Sequence, residues 1–254
     1  MARERTTGGR GAHRRPAAPL VVYGVNAVLE LVRSGQPLTR LYLGQGPRAD
    51  EIAAAARTRA VRAEAADRST LERVAGTAHH QGAVAECPPF QYAPLERLLE
   101  PERGSALVLD GIQDPRNLGA ILRTARAVGV GGVVLPRDRS VGVTPVVVGA
   151  SAGMLFGLPI ALVPNLVRAM GQLKEAGFWL YGLVPLGGKP LPGISAPTRP
   201  ALVVGGEGEG VRPLVLRACD FAVTIPMAPG VESLNVSVAA GIALYELLLR
   251  PVAP

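Results

Sequence analysis

From residue 106 onward, apolar runs alternate with longer amphipathic stretches. "ALVLD", "GGVVLP", "FWLYGLV" and "FAVTIP" are separated by "PRNLGAILRTARAVG", "NLVRAMGQLKEAG" and "NVSVAAGIALYELLLR". The short runs read as buried strands and the stretches between them as helices. Parallel neighbours need crossovers, so this alternation predicts an α/β fold with a mostly parallel sheet covered on both faces. Ligands in such sheets sit beyond the carboxyl ends of the strands. The loops that leave those strands are therefore where chemistry is sought.

A smaller block precedes it. Helix-like "GVNAVLELVRSG", strand "LTRLYLG", helix "ADEIAAAARTRA", strand "VRAEAA", helix "STLERVAGT" (opened by a Ser69 cap) and strand "QGAVAEC" follow one another. This predicts a compact α/β module, small but large enough to hold a core of its own. Pro88, Pro89, Pro94 and Pro101 then discourage regular structure. The expected organisation is a basic flexible tail at 1–19, a first domain at 20–88, a linker at 89–104 and a second domain at 105–254. No internal repeat is visible.

The chain of 254 residues carries a net charge of +7, and Arg3, Arg5, Arg10, Arg14 and Arg15 concentrate part of it in the tail. That tail lacks the apolar core of a secretory signal and is either a polyanion-binding arm or a solvated terminus. "VGVTPVVVGASAGMLFGLPIALVP", 141–164, has no charge and is long enough to span a bilayer. Pro145, Pro159 and four glycines break it, so a buried helix followed by a core strand is expected, with no membrane partner. Cys87 and Cys219 stand far apart with no CxxC pair, and His13, His79 and His80 are not at metal-ligand spacing from them. A reducing cytoplasm and no metal are the expectations.

Three loops at strand ends hold candidate chemistry. In "DGIQDPRNLGAILRTA", 110–125, Asp114 caps a helix whose first position is Pro115. Leu118, Ile121, Leu122, Ala125 and Val128 make its apolar stripe, and Arg116 and Arg123 project together from the other face, as ligand contacts or as a solvated basic surface. In "ALVVGGEGEGVRPL", Gly205, Gly206, Gly208 and Gly210 lack G-x-G-x-x-G spacing, and Asp220 precedes the next strand instead of ending it. A phosphate-binding Walker loop also fails, because "GGKP" puts Pro190 where a hydroxyl belongs. Glu207 and Glu209 make the loop acceptor-rich, suited to a hydroxyl-bearing or cationic ligand such as an adenosyl sulfonium; a tight turn with exposed acids is the alternative. In "TIPMAPGVESLNVSVAAGIALYE", 224–246, Ser233 or Asn235 caps a final helix apolar on most faces, which must be buried in a core or an interface. Small residues Ser237, Ala239, Ala240 and Gly241 permit close packing there.

In this order, the three stretches resemble the signature motifs of the SpoU (TrmH-like) family of RNA ribose 2′-O-methyltransferases, within the SPOUT superfamily. "NLGAILR" carries Asn117 and Arg123, "GGEGEG" carries Glu207, and "IPMAPGVESLNVSVAAG" completes the set. "YGVNAVLELV" and "HHQGAVAE" in the front block resemble the L30e-like substrate-binding domain of one branch, which methylates a guanosine of 23S rRNA. The resemblance implies an α/β fold with a C-terminal trefoil knot, an exception to the rule against knots. It implies S-adenosyl-L-methionine as methyl donor, held by Gly205, Gly206, Glu207, Gly208, Ile225, Pro226, Met227, Ser233, Leu234 and Asn235. It implies Asn117, Arg123, Glu207, Ser233 and Asn235 as catalytic residues, and a homodimer in which the apolar last helix finds a partner. Two departures stand out: Val146, Val147 and Val148 occupy a segment where relatives often carry a lysine, and Gly206 stands where Asn or Ala is common.

An RNA substrate needs phosphate and 2′-hydroxyl contacts. Arg40, Arg48, Arg57, Arg59 and Arg116 are the candidates, each weighed against an ordinary solvated charge. Aromatics make up only 4% of the chain, so broad stacking platforms are not expected. The same chemistry on tRNA or on another rRNA site, and a non-catalytic RNA-binding role in ribosome assembly, remain as alternatives.

Overall fold

The computed structural model describes residues 19–194 and 198–249; the readings placed on residues 1–18 lie outside the described residues. The first sheet has the order β1-β4-β2-β3, from β1 (Leu20–Tyr23), β2 (Arg40–Leu43), β3 (Ala63–Ala65) and β4 (Ala83–Cys87). β4 runs antiparallel to both β1 and β2, whereas β2 and β3 are parallel. Helices α1 (Val25–Ser34), α2 (Pro47–Arg57) and α3 (Arg68–Ala75) complete this block.

Two local expectations are corrected here. β1 did not stand out in the sequence as a strand, because its apolar run is parted from the helix-like stretch after it only by Gly24; pairing with β4 defines it. α3 is capped by Asp67, whose carboxylate accepts from Thr70 N at 2.8 Å. Ser69 lies inside the helix and donates to the same carboxylate, so the acid one residue before the helix outcompetes the hydroxyl.

The second sheet is parallel throughout, in the order β7-β6-β5-β10-β8-β11-β9. Its strands are β5 (Ala106–Asp110), β6 (Val133–Pro136), β7 (Ile160–Val163), β8 (Trp179–Leu183), β9 (Lys189–Pro190), β10 (Pro200–Gly205) and β11 (Phe221–Thr224). Between them lie α4 (Glu96–Leu99), ahead of β5, then α5 (Pro115–Ala127), α6 (Pro145–Ala150), α7 (Leu166–Glu175), α8 (Pro213–Arg217) and α9 (Val236–Leu248). β10, late in the chain, inserts between β5 and β8, and this out-of-order strand brings distant loops to one edge. The uncharged stretch forms α6, a 3-10 turn at Met154–Gly157 and β7, as its proline and glycine breaks predict. Among the described residues, no helix is long and apolar enough to cross a membrane.

The two blocks share one core. Val28 and Leu31 of α1 belong to the same buried cluster as Leu155 and Phe156. At Gly153, φ +79°, a Cβ would lie 2.8 Å from Ala27 Cα, so only glycine lets α1 approach this turn. The proline-rich segment is mostly irregular but tightly seated. Ala93 N donates to Ile160 O at 2.8 Å, Tyr92 Oη accepts from Val143 N at 2.9 Å, and Leu98 is buried. Arg199 fastens its end, donating to the carbonyls of Leu99, Glu100 and Ala176 while lying over the Phe178 ring.

Candidate active site

α5 starts where the sequence places it. Asp114 Oδ1 accepts from Arg116 N at 2.7 Å, Pro115 takes the first helical position, and Leu118, Ile121, Leu122 and Ala125 are buried. Arg116 and Arg123 are exposed, and among the described residues neither guanidinium has a hydrogen bond or ion pair. Close packing fixes the helix: at Gly119 a Cβ would stand 2.4 Å from Ala150 Cβ and 2.7 Å from Val147 O.

The glycine loop leaves β10 folded back on itself. Gly206 and Gly210 form an isolated antiparallel bridge, and a Cβ on Gly205 would fall 1.9 Å from Gly210 C. Gly206 N donates to Asp110 O at 2.9 Å, which draws the loop onto the end of β5. Buried Asp110 completes the latch. Its carboxylate accepts from Arg212 N at 2.9 Å and from Arg212 Nε at 2.8 Å, and its Oδ1 lies 2.6 Å from Nη2. A buried carboxylate is tolerated only when so paired, and the Asp110 partner raises Arg212 above the ordinary arginine value.

Asn235, not Ser233, caps α9: its Oδ1 accepts from Ser237 N, Ser237 Oγ and Val238 N. Its amide then reaches across, with Asn235 Nδ2 donating to Asn117 Oδ1 at 3.1 Å. Asn117 Nδ2 donates in turn to Glu207 Oε1 at 2.8 Å. One hydrogen-bonded chain thus joins the three motifs. Its polarity is set throughout, since each amide spends its oxygen and its nitrogen on different partners.

Beside this chain opens a pocket of about 420 Å³, lined by Leu183–Pro185, Val204–Gly208, Gly210, Thr224, Ile225, Met227, Ser233–Val236 and Ala239. The volume lies in the range of small-molecule sites. Of the expected donor-binding residues, Gly205, Gly206, Glu207, Gly208, Ile225, Met227, Ser233, Leu234 and Asn235 are gathered here; Pro226 is exposed and is not part of the lining. Leu183–Pro185 at the end of β8 were not singled out from the sequence. Only the adjacency of β8 and β10 would have exposed them. Among the described residues, Glu207 is the one charged residue in the lining, with no lysine or arginine, and such a lining does not suit a pyrophosphate. An acceptor-rich wall with apolar Leu183, Ile225 and Leu234 suits a nucleoside carrying positive charge.

The expected RNA-contacting arginines of the front block fare differently from one another. Arg57 is exposed. Arg40 donates to Tyr42 Oη, and Arg48 is held between Glu51 and Asn26 at 2.7 Å each. Arg59 donates to the carbonyls of Val32 and Gln36, stitching α2 to the end of α1. Val147 and Val148, in the segment lacking the lysine, are buried and Val146 is exposed. Burial pushes the thiols of Cys87 and Cys219 up to about 12, which leaves both protonated at neutral pH and poor nucleophiles. No group of three or more potential metal ligands occurs among the described residues.

A parallel sheet with an acceptor-rich, partly apolar pocket at its carboxyl edge, its two loops tied to a third through Asn117, has the make-up of a nucleoside-binding enzyme, and comparison with known proteins makes the class specific. Residues 104–245 match the family model described as the SpoU rRNA Methylase family. Residues 21–93 match the model for RNA 2′-O ribose methyltransferase substrate binding. A Bacillus subtilis protein assigned to the TrmH family of tRNA/rRNA methyltransferases is 37% identical, covering 89% of this chain and 94% of its own. A Mycolicibacterium gilvum protein, a tRNA/rRNA methyltransferase by name, is 40% identical over 94% of this chain and 79% of its own. Among solved structures, the SpoU methyltransferase AviRb from Streptomyces viridochromogenes, in complex with AdoMet, superposes with TM-score 0.77 at 27% identity, covering 91% of this chain and 89% of that one. An AdoMet-bound rRNA methyltransferase from Sinorhizobium meliloti gives TM-score 0.77 at 25% identity over 90% and 86%. The chain belongs to the SpoU/TrmH family of RNA methyltransferases.

Proposed function

We propose that the protein transfers a methyl group from S-adenosyl-L-methionine to a ribose 2′-hydroxyl of RNA, with a guanosine of 23S rRNA as the target and the cytoplasm as its place of action. The single observation that carries the chemistry is the pocket whose one charged residue among those described, Glu207, is tied through Asn117 to Asn235. The donor supplies an electrophilic methyl on a sulfonium. The residues that would hold it are the backbone edges of Gly205, Gly206 and Gly208, with Ile225, Met227 and Leu234 as the apolar wall. The late insertion of β10, and the way the 224–236 segment returns to bond Asn117, support the knotted threading that the family implies.

A ribose hydroxyl is a weak nucleophile at neutral pH, so its proton must be moved or its developing charge stabilised. Among the described residues, no histidine lines the pocket. Arginine stays protonated in proteins and is a poor base. Arg123, exposed and uncommitted on α5, therefore positions the hydroxyl and an adjoining phosphate and stabilises the developing alkoxide. Asn117, Glu207, Ser233 and Asn235 hold the acceptor and the loops in register. The reading is tested by Arg123→Ala: AdoMet binding by calorimetry is retained and methyl transfer to RNA is lost. Normal turnover by that variant would sink it.

The relatives are named for tRNA as well as rRNA, so tRNA is the second target to examine. Mapping 2′-O-methyl sites with and without the gene decides between them, and a map with no change in either RNA favours a binding role alone. Arg57 and Arg116 are the front-runners among the five arginines for phosphate contact, because their guanidinium groups carry no ties among the described residues. Val238, Ile242, Tyr245 and Leu249 form an exposed apolar stripe on and just beyond α9, and a second copy of the chain is its proposed partner.

A further inference from the structure

We infer that Arg139 binds a phosphate of the substrate RNA, in a second cleft that shares the 206–210 loop with the donor pocket; the inference rests on the RNA-methyltransferase reading. This cleft, about 360 Å³, lies at the carboxyl ends of β5 and β6, and Asp110, Gln113, Arg139, Glu209 and Arg212 contribute its polar side chains together with Glu207. Half of those groups are already engaged. Asp110 and Arg212 neutralise each other, and Glu207 accepts from Asn117. Arg139 is exposed and, among the described residues, its guanidinium makes no hydrogen bond or ion pair; Glu209, and Asp138 in the adjoining cleft, line the same space without pairing to it, so a phosphate there rests on direct contact with the guanidinium and not on a basic field.

Its backbone, by contrast, is firmly placed. Ser140 Oγ donates to Ile112 O at 3.1 Å and Val141 N donates to the same carbonyl at 2.9 Å, so the loop after β6 is fastened beside the start of the first motif. Arg139 itself sits at φ 60°, a left-handed conformation that few non-glycine residues adopt. Glycine is the residue local geometry favours there, and the chain instead carries an arginine. A larger cleft of about 800 Å³, with Leu214 and Val167 exposed on its wall, also includes Arg139. Arg139 thus stands where the two clefts meet. A strand reaching the donor pocket past Glu207 would run its backbone by this guanidinium, with room beyond for the neighbouring nucleotide. A planar, permanently charged fork suits a phosphodiester.

The conformation also supplies a clean variant. Arg139→Gly removes the side chain while relieving the positive φ, so it preserves the loop better than alanine. Arg139→Lys keeps the charge. The probe is a labelled single-stranded oligoribonucleotide of mixed sequence, titrated against the full chain by anisotropy across a salt series, with AdoMet binding measured in parallel. The expected result is weaker RNA binding by Arg139→Gly, with the log–log salt slope shallower by about 0.7, the contribution of one single-strand phosphate contact. Arg139→Lys restores the slope, and both variants bind AdoMet as wild type does. An unchanged slope for Arg139→Gly overturns the inference and leaves the methyltransferase reading standing. Loss of AdoMet binding by Arg139→Gly also overturns it, since the residue would then be shaping the shared loop. A wild-type chain that binds AdoMet but no RNA removes the substrate reading and this inference with it.

Discussion

Gly205 and Gly208 belong to one loop and answer to different constraints. At Gly205 an added Cβ collides with the backbone of Gly210 at 1.9 Å, whereas at Gly208 nothing lies within 4 Å. Gly205→Ala is therefore expected to lower the thermal midpoint by roughly 2–10 °C, an overpacking cost of about 1–3 kcal/mol, and to abolish AdoMet binding. Gly208→Ala leaves the midpoint unchanged, and any loss is confined to the donor affinity. Calorimetry with and without AdoMet separates the two, and equal destabilisation by both variants would contradict the steric account. Asn117 makes a sharper test of the hydrogen-bonded chain. In Asn117→Asp a carboxylate replaces the amide that donates to Glu207 at 2.8 Å, so two like charges face each other. A cost of about 1–3 kcal/mol corresponds to a fall on the order of 10- to 100-fold in kcat/KM, with the fold intact by circular dichroism.

Among the elements, α5 was the most legible in the sequence, because an Asp-Pro start and a spaced apolar stripe are local signals. What it packs against was not. Gly119 permits contact with Ala150 and the Val147 carbonyl, a demand invisible until α6 is in place. Gly119→Ala gains about 1 kcal/mol of helix propensity but suffers an overlap at 2.4 Å, costing about 1–3 kcal/mol. The expected net effect is a lower denaturant midpoint; a stabilised variant would show that α6 yields. The same distinction explains the remaining differences. α8 and β9 are five and two residues long, too short to show a period, and β1, no shorter than strands that were read, is defined by its pairing with β4. Capping was read to the correct residue at Asp114, where proline follows. It was ambiguous at α9, where Ser233 and Asn235 both offered oxygens, and wrong at α3, where Asp67 wins over Ser69. Two of the three loops singled out from the sequence line the pocket, and the first reaches them only through the hydrogen bonds of Asn117. The remaining wall, Leu183–Pro185, depended on a strand order that no local pattern encodes.

At the scale of the whole molecule, α9 has two faces. Val236, Ala240, Ala243, Leu244 and Leu247 are buried, while Val238, Ile242, Tyr245 and Leu249 are 50, 38, 56 and 48% exposed. A chain that pairs through this stripe sediments as a dimer, and the double variant Ile242→Glu with Tyr245→Glu sediments as a monomer; a wild-type monomer at micromolar concentration would refute the pairing. The helix also carries the cap that reaches Asn117, so the exposed stripe and the site share one element. That geometry has a consequence for how the protein comes into being. The bond between Asn117 and Glu207 spans 90 positions, and that between Asn235 and Asn117 spans 118. Contacts so distant in sequence close slowly and late in folding. During synthesis, Asn117 waits for 118 further residues before Asn235 is made. Nascent products can hold most of the parallel sheet and still lack a joined site, so competence arrives only with α9.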